Sequence, residues 1–192
     1  MNASPLQIFI DACLINNFVL ALFLGLCPFL GVSTRTDMAF RMGLAVTFVM
    51  LVASVCSYGI NLILIAIDAP YLRLISYIVV IASSVQLVEM FLKKHSPALF
   101  RALGIYLPLI TTNCAIIGLA LFQTSREYDF VQSLSFAVGG GGGFILALLM
   151  MSGIRERLEL SDVSSIMQGA SIALMVAGVL SMAFMGFAGM GR

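Results

Sequence analysis

Long apolar runs without a charged residue dominate this sequence. Six such runs hold 142 of the 192 residues, and they cover residues 12–34, 42–67, 74–88, 102–125, 130–154 and 163–191. Five of them exceed the ~20 residues that an α-helix needs to cross a bilayer. The third reaches that length if Arg73 and Glu89 lie at the two interfaces, where long side chains extend to water. The pattern predicts an all-α integral membrane protein with six transmembrane helices.

Composition leaves little room for anything besides these helices. Hydrophobic residues make up 61% of the chain and charged residues 10%, against ~25% charged in soluble domains. The remainder is too short for a separate soluble domain, so residues 1–192 form one membrane domain. No basic patch exists to bind nucleic acid. No Lys or Arg precedes the first apolar run, which indicates a retained helix rather than a signal peptide.

The basic residues are distributed unevenly between the loops. Seven of the ten lie between predicted helices 1 and 2, 3 and 4, or 5 and 6, whereas Arg73, Arg126 and Arg192 lie on the other side. Because cytoplasmic loops carry an excess of Lys and Arg, this count predicts that both termini lie outside.

Six spans can be divided into two halves of three helices, and the first helices of the two halves would then cross the membrane in opposite directions. Residues 1–97 and 98–192 each contain three predicted helices, so the halves would form two inverted repeats. An offset of 87 residues aligns Cys27 with Cys114 and Gly31 with Gly118. Apolar segments produce such matches readily by chance. The odd number of helices in each half is therefore the stronger argument for an inverted repeat.

Polar, glycine and proline residues interrupt two of the runs. They are Asn16-Asn17 and Gly25-Leu26-Cys27-Pro28 in the first run, and Pro108 and Thr111-Thr112-Asn113-Cys114 in the fourth. Proline removes a backbone donor and clashes with the preceding turn, so helices 1 and 4 are predicted to break near Cys27 and Cys114. Interruptions in corresponding positions of two halves point to a functional centre. The alternative is a pair of ordinary proline kinks.

The two cysteines beside these breaks are candidates for metal ligands. Cys114 lies at the centre of its run, and Cys27 lies a few residues from the centre of the first run. Spaced Cys and His pairs typical of zinc sites are absent, and His95 belongs to a basic loop. An iron–sulfur cluster needs four thiolates, so two indicate a half-site that a partner chain completes. Cys13 and Cys56 are predicted to be buried apolar residues, and the same interpretation stays open for the other two.

Three further features are predicted to be structural. Asp11 and Glu89 lie at the ends of runs and are predicted to be interfacial anchors, the second paired with Lys93 one helical turn away; ion coordination is the alternative. The run from Gly139 to Gly143 contains a GxxxG spacing that lets helices approach closely. Nucleotide-binding and serine-triad motifs are absent from the sequence, which therefore contains no complete active site.

Several segments closely resemble the A subunit of the Rnf electron-transport complex, whose sister family is the E subunit of the sodium-pumping NADH:quinone reductase. They include Asn16-Asn17-Phe18-Val19-Leu20, Phe23-Leu24-Gly25-Leu26-Cys27-Pro28-Phe29, Leu107-Pro108-Leu109-Ile110-Thr111-Thr112-Asn113-Cys114-Ala115 and Arg155-Glu156-Arg157. The resemblance covers essentially the whole chain.

This resemblance implies a membrane component of a redox-driven ion translocase in the bacterial inner membrane, with both termini on the periplasmic side. Such a complex exchanges electrons between ferredoxin and NAD and couples this to Na⁺ or H⁺ transport. The implied partners are a homologous six-helix subunit of opposite topology, similar to the Rnf E subunit, together with the B, C, D and G subunits. Flavins and NAD would bind only in other subunits.

The resemblance also implies the site. Cys27 and Cys114 would be two ligands of a [2Fe-2S] cluster shared with the homologous subunit. Gly25, Pro28, Thr112 and Asn113 would lie around those ligands. Competing interpretations are the E subunit of the quinone reductase, a transporter-like subunit without redox chemistry, and a purely structural anchor.

Overall fold

The computed structural model describes residues 4–67, 70–95, 110, 112–161 and 169–188. Within these ranges the regular secondary structure is helical and contains no strand, as the sequence predicts. The α-helices are α1 (Pro5–Ile10), α2 (Leu26–Val32), α3 (Thr36–Ile67), α4 (Arg73–His95), α5 (Cys114–Ser125), α6 (Phe130–Glu159) and α7 (Ala170–Ala188). A π-helical turn, Asp11–Ile15, continues α1, and a short 3₁₀ turn, Pro70–Leu72, leads into α4.

Four of the described helices are long and apolar enough to cross a membrane. They are α3, α4, α6 and α7, which correspond to the second, third, fifth and sixth predicted spans. For the first and fourth predicted spans, the described residues include only the shorter apolar helices Pro5–Ile15 and Cys114–Ser125 among helices of ten or more residues. These are the two spans for which the sequence predicts interruptions.

The centre of the molecule is formed by α3 and α6, which pack against each other more extensively than any other described pair. Met42, Met50, Phe144 and Leu148 are completely buried between the helices of this core. Gly43 permits the close approach, because a Cβ added there would lie 2.6 Å from Cγ1 of Ile145. Many large apolar side chains of α3, α4 and α7 point outward, as expected for helices surrounded by lipid.

The C-terminal end of α6 is attached to the turn between α2 and α3. Arg155 donates hydrogen bonds to the carbonyl oxygen of Leu30 at 2.8 Å and to the hydroxyl of Ser33 at 2.9 Å. The backbone N–H and the hydroxyl of Thr36 both donate to the Glu156 carboxylate at 2.8 Å. These bonds link two loops that the basic-residue count places on the same side of the membrane.

The opposite end of α6 lies beside the beginning of the chain. Arg126, in the turn before α6, forms an ion pair with Asp11 at 3.1 Å. From its first residue to Arg155, α6 rises about 38 Å at 1.5 Å per residue, which exceeds the ~30 Å hydrocarbon thickness. The segment from Asp11 to Ser33 therefore runs beside α6 for the thickness of a membrane, although only part of it is helical.

Some predicted features lie outside the described residues. They are Pro108, Thr111 and the loop at 96–101. The inverted-repeat relation and the division at residue 97 remain predictions.

Candidate functional site: two broken segments that meet

The first break is a non-helical stretch, residues 16–25, between the π-helical turn and α2. The side chain of Asn17, which is completely buried, holds it together. Its amide nitrogen donates to the carbonyl oxygens of Cys13 at 3.1 Å and Gly143 at 2.8 Å. Its oxygen accepts from the backbone N–H groups of Val19 at 3.0 Å and Leu20 at 3.3 Å. Asn17 thus satisfies backbone groups that lipid would leave unpaired.

The break ends at Gly25, which adopts a left-handed conformation with φ +83°. An added Cβ would lie 2.8 Å from the ring of Phe144 and 3.3 Å from the side-chain oxygen of Asn113. Both the backbone conformation and the space therefore require glycine at this position.

Pro28 has a different role from the one the sequence indicates. The predicted clash with a preceding helical turn does not occur, because α2 begins only at Leu26 and Pro28 lies in its first turn. The backbone N–H groups of a first turn have no intrahelical acceptor in any case. The left-handed turn at Gly25, rather than the proline, ends the non-helical stretch.

The second break lies immediately before Cys114, the first residue of α5. Asn113 is the N-cap, with extended φ and ψ, and its side-chain oxygen accepts the backbone N–H of Ala115 at 3.0 Å. Asn113 is only 3% exposed, whereas Thr112 is exposed. The predicted interruption next to Cys114 is therefore present, with a side-chain cap that begins the helix.

The two breaks meet directly. The backbone N–H of Gly25 donates a hydrogen bond to the sulfur of Cys114 at 2.9 Å. Cys27 follows Gly25 by two residues, a stretch of chain that spans at most about 7 Å. Cys27 is exposed, and Cys114 is partly buried. The fold thus brings the two predicted site cysteines into one region.

This region lies halfway along α6. Phe144, whose ring contacts Gly25, is near the middle of the helix from Phe130 to Glu159. Within the part of the chain that the structure describes, no group of three or more Cys, His, Asp or Glu residues is placed to hold a metal ion. Two thiols from adjacent helix beginnings are the soft ligands available here.

The glycine run of α6 allows the broken segment to approach closely. A Cβ at Gly139 would lie 2.6 Å from the carbonyl oxygen of Phe9, and one at Gly143 would lie 2.7 Å from that of Cys13. At Gly140 it would collide with the ring of Phe18. The close approach predicted for the glycine run is therefore present, and the segment that packs against these glycines is the interrupted first segment.

The other two cysteines have contacts elsewhere. The sulfur of Cys13 lies beside Gly142 of α6, where an added Cβ would be 3.7 Å away. The hydroxyl of Ser84 on α4 is 3.5 Å from the sulfur of Cys56 and donates to it.

Asp11 and Glu89, the two acidic residues predicted to be interfacial anchors, have different surroundings. Asp11 accepts a hydrogen bond from the Asn16 side chain at 2.7 Å in addition to its ion pair with Arg126. Burial opposes the charged form of Arg126, but Tyr128 and Asp11 outweigh it and raise the pKa of the guanidinium above its ordinary value. These contacts agree with an anchoring role for Asp11. Glu89 is partly buried on α4, and its pairing with Lys93 remains a prediction.

Sequence reasoning missed a set of buried polar contacts joining α3, α4 and α5. The Ser54 hydroxyl donates to the side-chain oxygen of Gln123 at 2.8 Å, and the hydroxyls of Tyr77 and Thr124 lie 2.7 Å apart. Gln123 and Thr124 in an otherwise apolar helix were the available signal, because buried polar groups in lipid need partners.

Comparisons with known proteins identify the family of this chain. The family model described as "Rnf-Nqr subunit, membrane protein" matches residues 5–191. The A subunit of the ion-translocating oxidoreductase complex of Syntrophotalea carbinolica is 55% identical over 186 residues, covering 96% of both chains. The protein of the same name from Photorhabdus laumondii is 50% identical over 184 residues, with 95% coverage of each.

A third relative carries a more specific name. The A subunit of the Na⁺-translocating ferredoxin:NAD⁺ oxidoreductase complex of Acetobacterium woodii is 52% identical over 184 residues, which cover 95% of this chain and 96% of its own length. With matches over nearly the full length of the chain, this protein belongs to the Rnf-Nqr family of membrane subunits and resembles the members of that family that are named as A subunits.

Proposed function

We propose that this chain is the A subunit of an ion-translocating ferredoxin:NAD oxidoreductase. In this proposal Cys27 and Cys114 supply two of the four thiolate ligands of a [2Fe-2S] cluster, and a homologous six-helix subunit of opposite topology supplies the other two. The names of the relatives support the type of complex. All three quoted relatives are named as the A subunit of their complex, which favours this assignment over the E subunit of the quinone reductase.

The main structural support for Cys27 and Cys114 as ligands is the hydrogen bond between the Gly25 N–H and the Cys114 sulfur. It joins the two breaks, which are distant in sequence, at the point where both cysteines lie in the first turn of a helix. A purely structural anchor gives no reason for two interrupted segments to meet at a thiol. In lipid, non-helical backbone is tolerated only where it is buried in protein or lines a cavity, so such segments mark functional centres.

The residues present fit a shared cluster. Thiolates are the usual ligands of these clusters, and N–H donors to the sulfurs tune their potential. The cysteine sulfur of Cys114 already accepts one such bond, and the exposure of Cys27 leaves it accessible to a second chain. When bound, the cluster would accept and release single electrons within the membrane.

Other residues of this chain hold the ligands in place. Asn17 fastens the first break to α6 through Gly143, and Phe144 packs against Gly25. Cys114 lies in the first turn of α5, where the positive end of the helix dipole favours negative charge on sulfur.

The remaining parts of the proposal concern the whole complex. The chain crosses the bacterial inner membrane six times, with the interrupted segments as the first and fourth crossings and both termini in the periplasm. Electron transfer is coupled to Na⁺ or H⁺ transport. The B, C, D and G subunits and an E-like subunit are the other partners, and flavins and NAD bind outside this chain.

Absorbance and EPR spectroscopy of this protein co-purified with its homologous partner test the proposal. We expect a cluster spectrum that Cys27→Ser and Cys114→Ser each abolish, together with electron transfer. Cys13→Ser and Cys56→Ser are matched controls, because they remove a sulfur with other contacts, and they should leave both signals largely intact.

An assembled Cys27→Ser or Cys114→Ser complex with an unchanged EPR signal would refute the ligand assignment. A wild-type pair without a cluster, but with ion binding or transport, would instead favour a transporter-like subunit.

A further inference from the structure

The side chain of Asn113 contains a buried hydrogen-bond donor. Its side-chain nitrogen, Nδ2, has no hydrogen-bond acceptor among the residues that the structure describes, and water does not reach it. The residue is 97% buried, and its other side-chain atom, Oδ1, is already used as the cap of α5. A buried amide N–H without an acceptor is costly and calls for an explanation.

The orientation of this carboxamide is fixed by its surroundings. The backbone N–H of Ala115 is a donor, so the side-chain atom 3.0 Å away from it must be the oxygen. The oxygen also faces the position of Gly25, where an added Cβ would be 3.3 Å away. The nitrogen is therefore the free branch, and it belongs to the residue directly before Cys114.

We propose that Asn113 Nδ2 donates a hydrogen bond to a sulfur of the iron–sulfur cluster and thereby raises its reduction potential. This inference rests on the proposed function. In this role Asn113 contacts the cluster through a hydrogen bond but is not one of its ligands. The missing acceptor is a sulfide or a cysteine sulfur at the Cys114 side of the site.

Charge explains the direction of the effect. Reduction adds a negative charge to the cluster, and an N–H directed at sulfur stabilises the more negative state. Hydrogen bonds to sulfur are among the factors that set the potential of these clusters. Together with the N–H of Gly25 on the Cys114 sulfur, Asn113 would provide a second donor on the same side.

The Asn113→Ser variant separates this role from the capping role. Serine is a good N-cap, so α5 should still form, but the amide donor is lost. Asn61→Ser is the matched control, because Asn61 lies on α3 and accepts a hydrogen bond from Tyr77, at 3.3 Å, in the separate polar contacts. Both variants are made in the complete complex.

We expect the midpoint potential of the cluster in Asn113→Ser to shift to a more negative value in an EPR-monitored redox titration. One exchangeable proton coupling in the pulsed EPR spectrum in H₂O, absent in D₂O, should disappear. Asn61→Ser should retain the wild-type potential and the coupling.

Three results would overturn the inference without touching the proposed function. The first is a normal cluster in Asn113→Ser with the wild-type potential. The second is retention of the proton coupling in that variant. If the variant does not assemble, wild-type complex with ¹⁵N in its asparagine side chains provides the third, since no ¹⁵N coupling to the cluster means no such bond. A wild-type complex without any cluster would instead refute the proposed function.

Discussion

Gly143 of α6 is the position where one added methyl group should disturb the first break most directly. A Cβ there would lie 2.7 Å from the carbonyl oxygen of Cys13 and 2.8 Å from the side-chain nitrogen of Asn17. The backbone carbonyl cannot move without moving the π-helical turn, and the asparagine cannot move without losing its bond to the Gly143 carbonyl.

The neighbouring glycine is a control of the same size. A Cβ at Gly142 would meet only the Cys13 sulfur at 3.7 Å, an ordinary contact. Replacing glycine by alanine within a helix favours folding by about 1 kcal/mol in both variants, so this effect cancels in the comparison. Overpacking costs about 1–3 kcal/mol, and a lost hydrogen bond costs about 0.5–1.5 kcal/mol. Gly143→Ala should therefore be less stable than Gly142→Ala by about 2–4 kcal/mol.

Unfolding of the purified complex in mixed detergent micelles, followed by circular dichroism, measures this difference. The EPR signal of the proposed cluster provides a local measurement, because displacement of Asn17 should loosen the non-helical stretch that leads to Cys27. Equal stability and equal cluster EPR signals in the two alanine variants would show that the packing between α6 and the first break is not as tight as described.

Two further predictions concern the interfaces. If Glu89 pairs with Lys93, Glu89→Gln should lower the stability of the protein by about 0.3–0.5 kcal/mol, the value of an exposed pair one turn apart. Vesicles that contain the variant should retain both ion uptake and electron transfer. Loss of ion uptake alone would assign the carboxylate to an ion path. A phosphatase fused after Arg192 should be active and a fluorescent protein fused there dark, because both termini are predicted to lie in the periplasm; the opposite pair of results would reverse the topology.

Much of the helical arrangement could be predicted from charge-free length. The second, third, fifth and sixth runs are long helices because lipid leaves a backbone no better way to satisfy its hydrogen bonds. The first and fourth runs are predicted to be interrupted because they contain groups that helices in lipid disfavour. The assignment of Cys27 and Cys114 to a site rests on their context within these interruptions and stays a prediction.

The contacts that form the first break could not be predicted from the sequence. Proline suggests a kink, but the turn depends on the left-handed Gly25 and on the Asn17 side chain, which bonds to Cys13 before the break and to the backbone of Val19 inside it. Such contacts depend on which elements are neighbours in space. The length of a run gives no information on that, so the bond between the Gly25 N–H and Cys114 could not be predicted either.

The ion pair and hydrogen bonds at the two ends of α6 show how far the topology is determined. Asp11 pairs with Arg126 before this helix, and Arg155 binds Ser33 at its far end. These contacts agree with the predicted grouping of loops on two sides. They are unchanged if the whole molecule is turned over, so the absolute orientation depends on the basic-residue count alone.

Three features that are separate in the sequence act together in the fold: the broken first segment, the glycine run of α6 and the Cys114 site. A broken segment carries free carbonyl groups, and these need close donors when the surroundings are lipid. The glycine run of α6 removes the side chains that would hold the segment away, so Asn17 can reach the Gly143 carbonyl while its own oxygen supports the break. The end of that break then presents the Gly25 N–H to Cys114. A substitution in the glycine run should therefore affect the cysteine site without touching a cysteine.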